Sequence, residues 1–356
     1  MLANPRIEIK SSSIKNNVDV MVEEMKEKGL KIIGVTKSYC ANKDIIKVLY
    51  DSGISTFADS RMENLIKIRK CFPASKLFLL RVMMQSEMLQ AILTCDYSAQ
   101  TSLETIKLVD KLSRVMNKKH GVILMVDMGD LREGILPNNV VEISKQVEMM
   151  NNVHLIGIAV NFACFGGVLP DVHNTTKFGD LAVSVEKAIG RKLDIVSIGG
   201  TVCIDLIRRE KLHDSITHIR LGESLSNGTD ASKNSVSIPK LLQNTFELVA
   251  EVVEVIEKPS VPIGSIGYDA FGNIPTFVDK GIMLRAVLAI GKQDTPFDAL
   301  VPKNNNIEIL GGSSDHMICD VSKCPEIKVG SEVRFLVSWK AMLHLMTSRY
   351  IKKVLL

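Results

Sequence analysis

The stretch KIIGVTKSYC, residues 31–40, ends a run of β-branched and apolar residues on Lys37. Lysine is almost never buried without a partner. At the end of a strand buried on both faces it has two uses. Its stem can cover a rim while the ammonium reaches water. Alternatively, a partly desolvated amine with a lowered pKa is available for Schiff-base chemistry. Other segments carry what such chemistry on a phosphorylated aromatic cofactor needs. Arg132 lies in VDMGDLREG, a loop that its two glycines should make mobile, and Asn161 ends the run HLIGIAVN. SIGGTV and IRLGES are small-residue turns whose backbone N–H groups can hold a phosphate.

These residues need a scaffold that brings strand ends together. Eight short apolar runs recur at 31–37, 55–59, 76–81, 95–99, 121–127, 154–161, 194–200 and 217–222. Amphipathic segments such as NKDIIKVLYDSG and SLETIKLVDKLSRVM separate them, with apolar residues three and four apart, and a Gly closes the first. The count predicts an α/β fold, a closed (β/α)8 TIM-type barrel over 1–230. An open doubly wound sheet would show fewer strands and a glycine-rich fingerprint after the first, which is missing. From 231 to 356 the runs ELVAEVVEVIE, IMLRAVLAIG, NIEILGG, HMICDV and SEVRFLVSW alternate with Gly, Pro, Asn and Asp. They predict a mostly antiparallel β domain. A strand at 5–9 could join either part.

The chain has 356 residues and a formal net charge of +4, with lysines and acids interleaved. No basic tract marks a nucleic-acid partner, and no run approaches a membrane span. Seven scattered cysteines without a C-x-x-C pair argue against structural zinc and a disulfide framework. They fit a reducing cytoplasm.

The ordered set PRIEI, GVTKSYC, FADSRMENL, DMGDLREGIL, IRLGES, GYDAFGN, AVLAIGKQD and GGSSDHMICDV resembles the fold-type III pyridoxal-phosphate enzymes, the alanine racemase superfamily, and within it the ornithine racemase branch. The resemblance runs over essentially the whole chain. It implies that Lys37 carries pyridoxal 5'-phosphate on its amine. It also implies that Arg132 faces the cofactor and the substrate carboxylate, that Asn161 packs at the ring, and that Arg220 bonds the ring nitrogen. Gly222, Glu223 and Ser224 would supply phosphate donors, with Thr201 and Tyr350 adding hydroxyls. Tyr268 would be the second acid–base group opposite Lys37, supplied across a homodimer with shared active sites. Asp269, Ser314 and Asp315 would border the substrate, an acid there meeting the distal ammonium of a small amino acid such as ornithine.

Two departures stand out. Where the racemases carry Asn-Ser after the seventh strand, this chain has Thr201-Val202, and Val202 cannot replace a serine side chain. The GYADG run of alanine racemases is replaced by AIGKQDT, which argues against alanine as the preferred substrate. Lysine, arginine, alanine or serine remain alternative substrates. A pyridoxal-phosphate carrier without catalysis is the non-enzymatic alternative, and a decarboxylase or a metal-dependent aldolase on the same scaffold the enzymatic one. No ligand cluster for a metal is visible.

Overall fold

A computed structural model of the chain describes residues 4–233 and 235–356. Two compact units emerge, residues 13–242 and residues 1–12 with 243–356.

In the first unit eight parallel strands close into a barrel: Lys31–Val35, Thr56–Asp59, Lys76–Leu79, Tyr97–Gln100, His120–Val126, Val153–Asn161, Ile195–Gly199 and His218–Leu221. The last closes on the first, with Lys31 opposite His218 and Gly34 opposite Leu221. The strands are β-branched and apolar because each is covered twice, by helices outside and by side chains inside. The inner filling includes Ile33, Val35, Ala58, Phe78, Ala99, Ile123, Met125, Ala159 and Ile195.

Connecting helices start and stop where their sequences dictate. Asn42 caps Lys43–Asp51 by accepting from the amides of Asp44 and Ile45. Beyond that helix Gly53 takes a φ of 96°, a conformation that favours glycine.

The second unit is built on a mixed, mostly antiparallel sheet whose long strand is Phe246–Pro259. That strand pairs antiparallel with Glu332–Val337 and with Ile282–Leu288. Arg6–Ile9 joins this sheet, antiparallel to Phe246–Val249 and parallel to Lys352–Leu355. Charges fix it there. Arg6 donates to Glu332 at 2.7 and 2.9 Å and to Glu8 at 2.8 Å, and Arg334 donates to Glu8 at 2.6 Å.

The boundary lies at 242 rather than 230. Thr229–Asp230 pairs with Val236–Ser237, and Asn17 of the first helix holds Leu242 by both its amide and its carbonyl. The short strands and Leu242 are thereby tied to the barrel, with too little apolar periodicity to announce it.

Candidate active site

The barrel's share of the site gathers at the carboxyl ends of its strands. The first strand stops at Val35; Thr36 leaves the extended conformation and Lys37 opens a one-turn 3-10 helix, Lys37–Tyr39. The amine was expected in a partly desolvated pocket. Instead Lys37 is exposed, because the turn carries it past the apolar filling, and among the described residues its amine forms no ion pair or hydrogen bond. The turn after the last strand lies alongside: a Cβ at Gly222 would stand 3.2 Å from the Val35 Cβ.

Arg220 is almost fully buried, and its guanidinium reaches across two neighbouring strands. It donates to the Ser197 carbonyl at 3.1 Å and hydroxyl at 2.8 Å, to the Val160 carbonyl at 2.5 Å and to Asn161 Oδ1 at 2.9 Å. None of these acceptors is a carboxylate. Burial lowers its pKa to about 10, which still leaves it charged at neutral pH. Only glycine fits beneath it, since a Cβ at Gly199 would overlap the guanidinium.

Asn161 passes the network on by donating to Glu133 at 3.3 Å, and Glu133 pairs with Arg132 through both carboxylate oxygens. Burial works against the Arg132 charge, but Glu133 outweighs it and raises the guanidinium above its ordinary range. The loop carrying Arg132 is anchored, contrary to the mobility its glycines suggested. Asp127 accepts from the amides of Gly129 and Leu131 at 2.8 and 3.1 Å. Buried Asp130 accepts from the amides of Cys164, Phe165 and Val168 in the next loop. Glycines supplied the turn geometry, and carboxylates removed the freedom.

At the phosphate turns the assignment changes in detail. The Ser224 amide donates to the Thr201 hydroxyl at 3.1 Å, so the hydroxyls rather than that amide face the vacant hydrogen-bonding role. Glu223 turns its carboxyl inward to accept from the Thr229 hydroxyl at 2.7 Å and the Ala231 amide at 2.9 Å, and is no phosphate donor through its side chain. Its burial raises the pKa to about 7 against those two bonds, with Asp230 adding to the rise. Among the described residues five buried hydroxyls have no hydrogen-bond partner, and three of them, Ser38, Tyr39 and Ser224, lie in the turns that follow the first and last barrel strands. Burial, with Asp59 nearby, pushes the Tyr39 hydroxyl up and keeps it a donor. Buried polar groups are almost always satisfied. Unpartnered donors beside an open amine fit a phosphorylated aldehyde. Val202 is buried and lines a hollow with Pro170, Val172 and Leu206, an apolar setting that explains its side chain.

The β domain holds the other residues that the sequence singled out. Tyr268 is 76% exposed in a stretch, 260–281, without regular strand. Asp269 is spent on its own loop: its Oδ1 accepts from the amides of Phe271 at 2.9 Å and Asn273 at 2.8 Å, bonds that lower its pKa. It is therefore not the free acid expected for a distal ammonium. Lys292 stands 4.0 Å from Asp269 Oδ2 and 4.3 Å above the Phe271 ring, and its amide donates to the Ser313 carbonyl at 2.9 Å. Ser314 donates to Asp315 at 2.5 Å on the loop packed against Gly291. Lys292 thus links the turn of Asp269 and Phe271 to the loop that carries Ser314 and Asp315. Tyr350 is exposed, its hydroxyl accepting from Arg349 at 3.2 Å.

Sequence reasoning missed Glu133, Tyr39 and Asp130. Glu133 adjoins Arg132 and Tyr39 lies two residues beyond Lys37, so adjacency was the available signal. Asp130 gave none, because its partners are backbone amides more than thirty residues away.

Residues 9–229 match the model of the alanine racemase N-terminal domain, and the chain belongs to that family. It is 40% identical to an ornithine racemase of Acetoanaerobium sticklandii, with 99% of each chain covered. It is 36% identical to a lysine racemase of Thermotoga maritima, with 98% of each covered. Among solved structures it resembles the alanine racemase of Clostridium difficile 630, with a TM-score of 0.75 at 18% identity over 100% of this chain and 97% of that one. The alanine racemase of Streptomyces lavendulae gives the same TM-score at 15% identity, covering 100% and 98%.

Proposed function

We propose that the chain is a pyridoxal 5'-phosphate-dependent amino-acid racemase that interconverts L- and D-ornithine. One observation carries the proposal: an unpaired lysine amine directly beyond the first barrel strand, beside a turn with an unpartnered buried hydroxyl. The full-length likeness to an ornithine racemase supports the substrate.

Lys37 would hold the cofactor, with Ser224, Thr201, Tyr39 and the Gly222 turn at its phosphate and Asn161 at its ring. When bound, the cofactor withdraws electrons and acidifies the substrate's α-proton. Arg220 would face the ring nitrogen. Its retained charge keeps a proton off that nitrogen, which favours simple proton exchange over side reactions. Arg132 would bind the substrate carboxylate and Tyr350 would add a hydroxyl to the phosphate site. Racemisation removes a proton from one face and returns one to the other, so two groups are needed. The Lys37 amine serves one face at Nζ. For the other we assign the Tyr268 hydroxyl from a second copy of the chain in a homodimer, with Ser314 and Asp315 bordering the substrate.

The exposed apolar side chains around Tyr268, among them Ile263, Ile274, Phe277 and Val278, support such cover. Seven scattered cysteines without a C-x-x-C pair support a reducing cytoplasm. Among the described residues no helix is long and apolar enough to cross a membrane.

The test is an absorbance spectrum joined to optical-rotation assays. The purified chain should absorb near ~420 nm and lose that band in Lys37→Ala. It should racemise ornithine ahead of lysine, arginine, alanine and serine. A bound cofactor without turnover of any of them would overturn the racemase in favour of a carrier.

A further inference from the structure

Most acids around the barrel mouth are spoken for by the fold. Asp127 and Asp130 hold backbone amides, and Asp59 accepts from Thr36, Asn64 and the Arg61 amide. Glu133 differs. Its partners are the side chains of Arg132 and Asn161, and it is half-buried. Arg132, however, is the group proposed to take the substrate's α-carboxylate. When it does so, Glu133 loses its cation and keeps a single amide hydrogen bond at 3.3 Å.

Drawing the cation away from a half-exposed carboxylate costs it that Coulomb attraction and leaves an open place for another cation. A substrate with an apolar or hydroxylated side chain would leave that cost standing. A substrate with a second ammonium removes it. We infer that Glu133 receives the distal ammonium of a diamino monocarboxylic acid, so that the adjacent Arg132 and Glu133 hold the two charged ends of one substrate. The inference rests on the racemase reading of Arg132, and it fills the role that Asp269 cannot. The resting Arg132–Glu133 pair is the closed form of the clamp, and a dibasic substrate exchanges one ion pair for two.

Selection acts on class rather than length. Alanine gains nothing at Glu133, whereas ornithine and lysine differ by one methylene, which a pocket separates weakly. Asn161 holds Glu133 on the Arg220 side, so the carboxylate stays oriented when Arg132 leaves it.

Calorimetry on the cofactor-loaded protein tests this with 5-aminopentanoate and pentanoate, neither of which has an α-amine to enter the reaction. The wild type should bind 5-aminopentanoate about 10- to 100-fold more tightly, the worth of one charge-assisted hydrogen bond. Glu133→Gln should bring the two within about twofold of each other on the same scale, with the cofactor band unchanged as the check on folding. Glu133→Asp, with a shorter reach, should shift preference toward 6-aminohexanoate. Glu142→Gln, at an exposed acid on the helix Pro137–Glu148, should leave the preference as it was.

Equal binding of the two acids by the wild type overturns the inference. So does a preference that survives Glu133→Gln or vanishes in Glu142→Gln. The two proposals fail separately. Ornithine racemisation without the preference removes the clamp alone, and the preference without any racemisation removes the racemase alone.

Discussion

The mouth of the barrel and the stretch 260–281 of the β domain solve the problem of placing a reactive group in opposite ways. At the mouth, buried side chains bond one another across three strands, from Ser197 through Arg220 and Asn161 to Glu133. Geometry there is set before any ligand arrives, which is how electrostatic sites avoid reorganisation. Around Tyr268 no strand or helix forms, and Ile263, Tyr268 and Val278 are each more than three-quarters exposed. Order there comes from Asp269, Lys292 and the Phe271 ring beside Tyr268, and from Asp279 and Ser260 at the ends of the stretch. The contrast teaches that the barrel mouth is finished by folding, while 260–281 leaves an apolar surface exposed, which the proposed second copy would cover.

Tyr268→Phe tests that division most severely. Losing one of two acid–base groups should cost about 10²- to 10⁴-fold in turnover. The direction that needs the hydroxyl as base should suffer more, and the ~420 nm band should persist because the cofactor's own partners are untouched. Initial rates from L- and D-ornithine, measured separately, check it. Equal and unchanged rates would remove Tyr268 from the chemistry and leave the exposed stretch as an interface only.

The same division explains what could be read from the chain. All eight barrel strands were legible, because strands covered on both faces leave continuous β-branched runs. Lys37 and Asn161 stood out as polar residues at the ends of such runs and Arg132 in the loop after one, whereas Arg220 was legible by resemblance. Tyr268 was legible only by resemblance, since 260–281 has no period to follow. The anchoring of the Arg132 loop was invisible because Asp127 and Asp130 act on backbone amides, which every sequence possesses. The availability of Asp269 was misjudged for the same reason: its partners, the amides of Phe271 and Asn273, carry no side-chain signature.

Glu223 sharpens the barrel half through pH. Burial raises its pKa from 4.5 to about 7, so the folded state holds the proton over a window in which the unfolded chain has released it. The folded state therefore binds more protons, and stability from this group is full below pH ~4.5 and is lost as pH rises through about 7. Glu223→Gln, which resembles the neutral acid, should match the wild type at pH 4 and exceed it by up to about 3 kcal/mol at pH 8. Urea unfolding at both pH values measures the difference. A constant difference across the window would show that the carboxyl titrates normally and that this turn is not buried as described.

Lys292 offers the finest test, on the exposed half. Its ammonium lies 4.3 Å above the Phe271 ring and 4.0 Å from Asp269, so it joins both sides of the turn that follows Tyr268. An exposed cation–π contact is weak, and an ion pair of half-exposed partners adds little. Lys292→Met keeps the apolar stem over the ring and removes only the charge. Turnover should fall about two- to fivefold, the size of one such contact. The fall should be larger in the direction that Tyr268 serves, with KM for ornithine unchanged. Lys292→Arg should restore most of the rate, since a guanidinium stacks on the ring and still meets Asp269. A loss that is equal in both directions and not rescued by arginine would mean that the loop is held by Asp269 and its amides alone. In that case the exposed half, too, is ordered by folding.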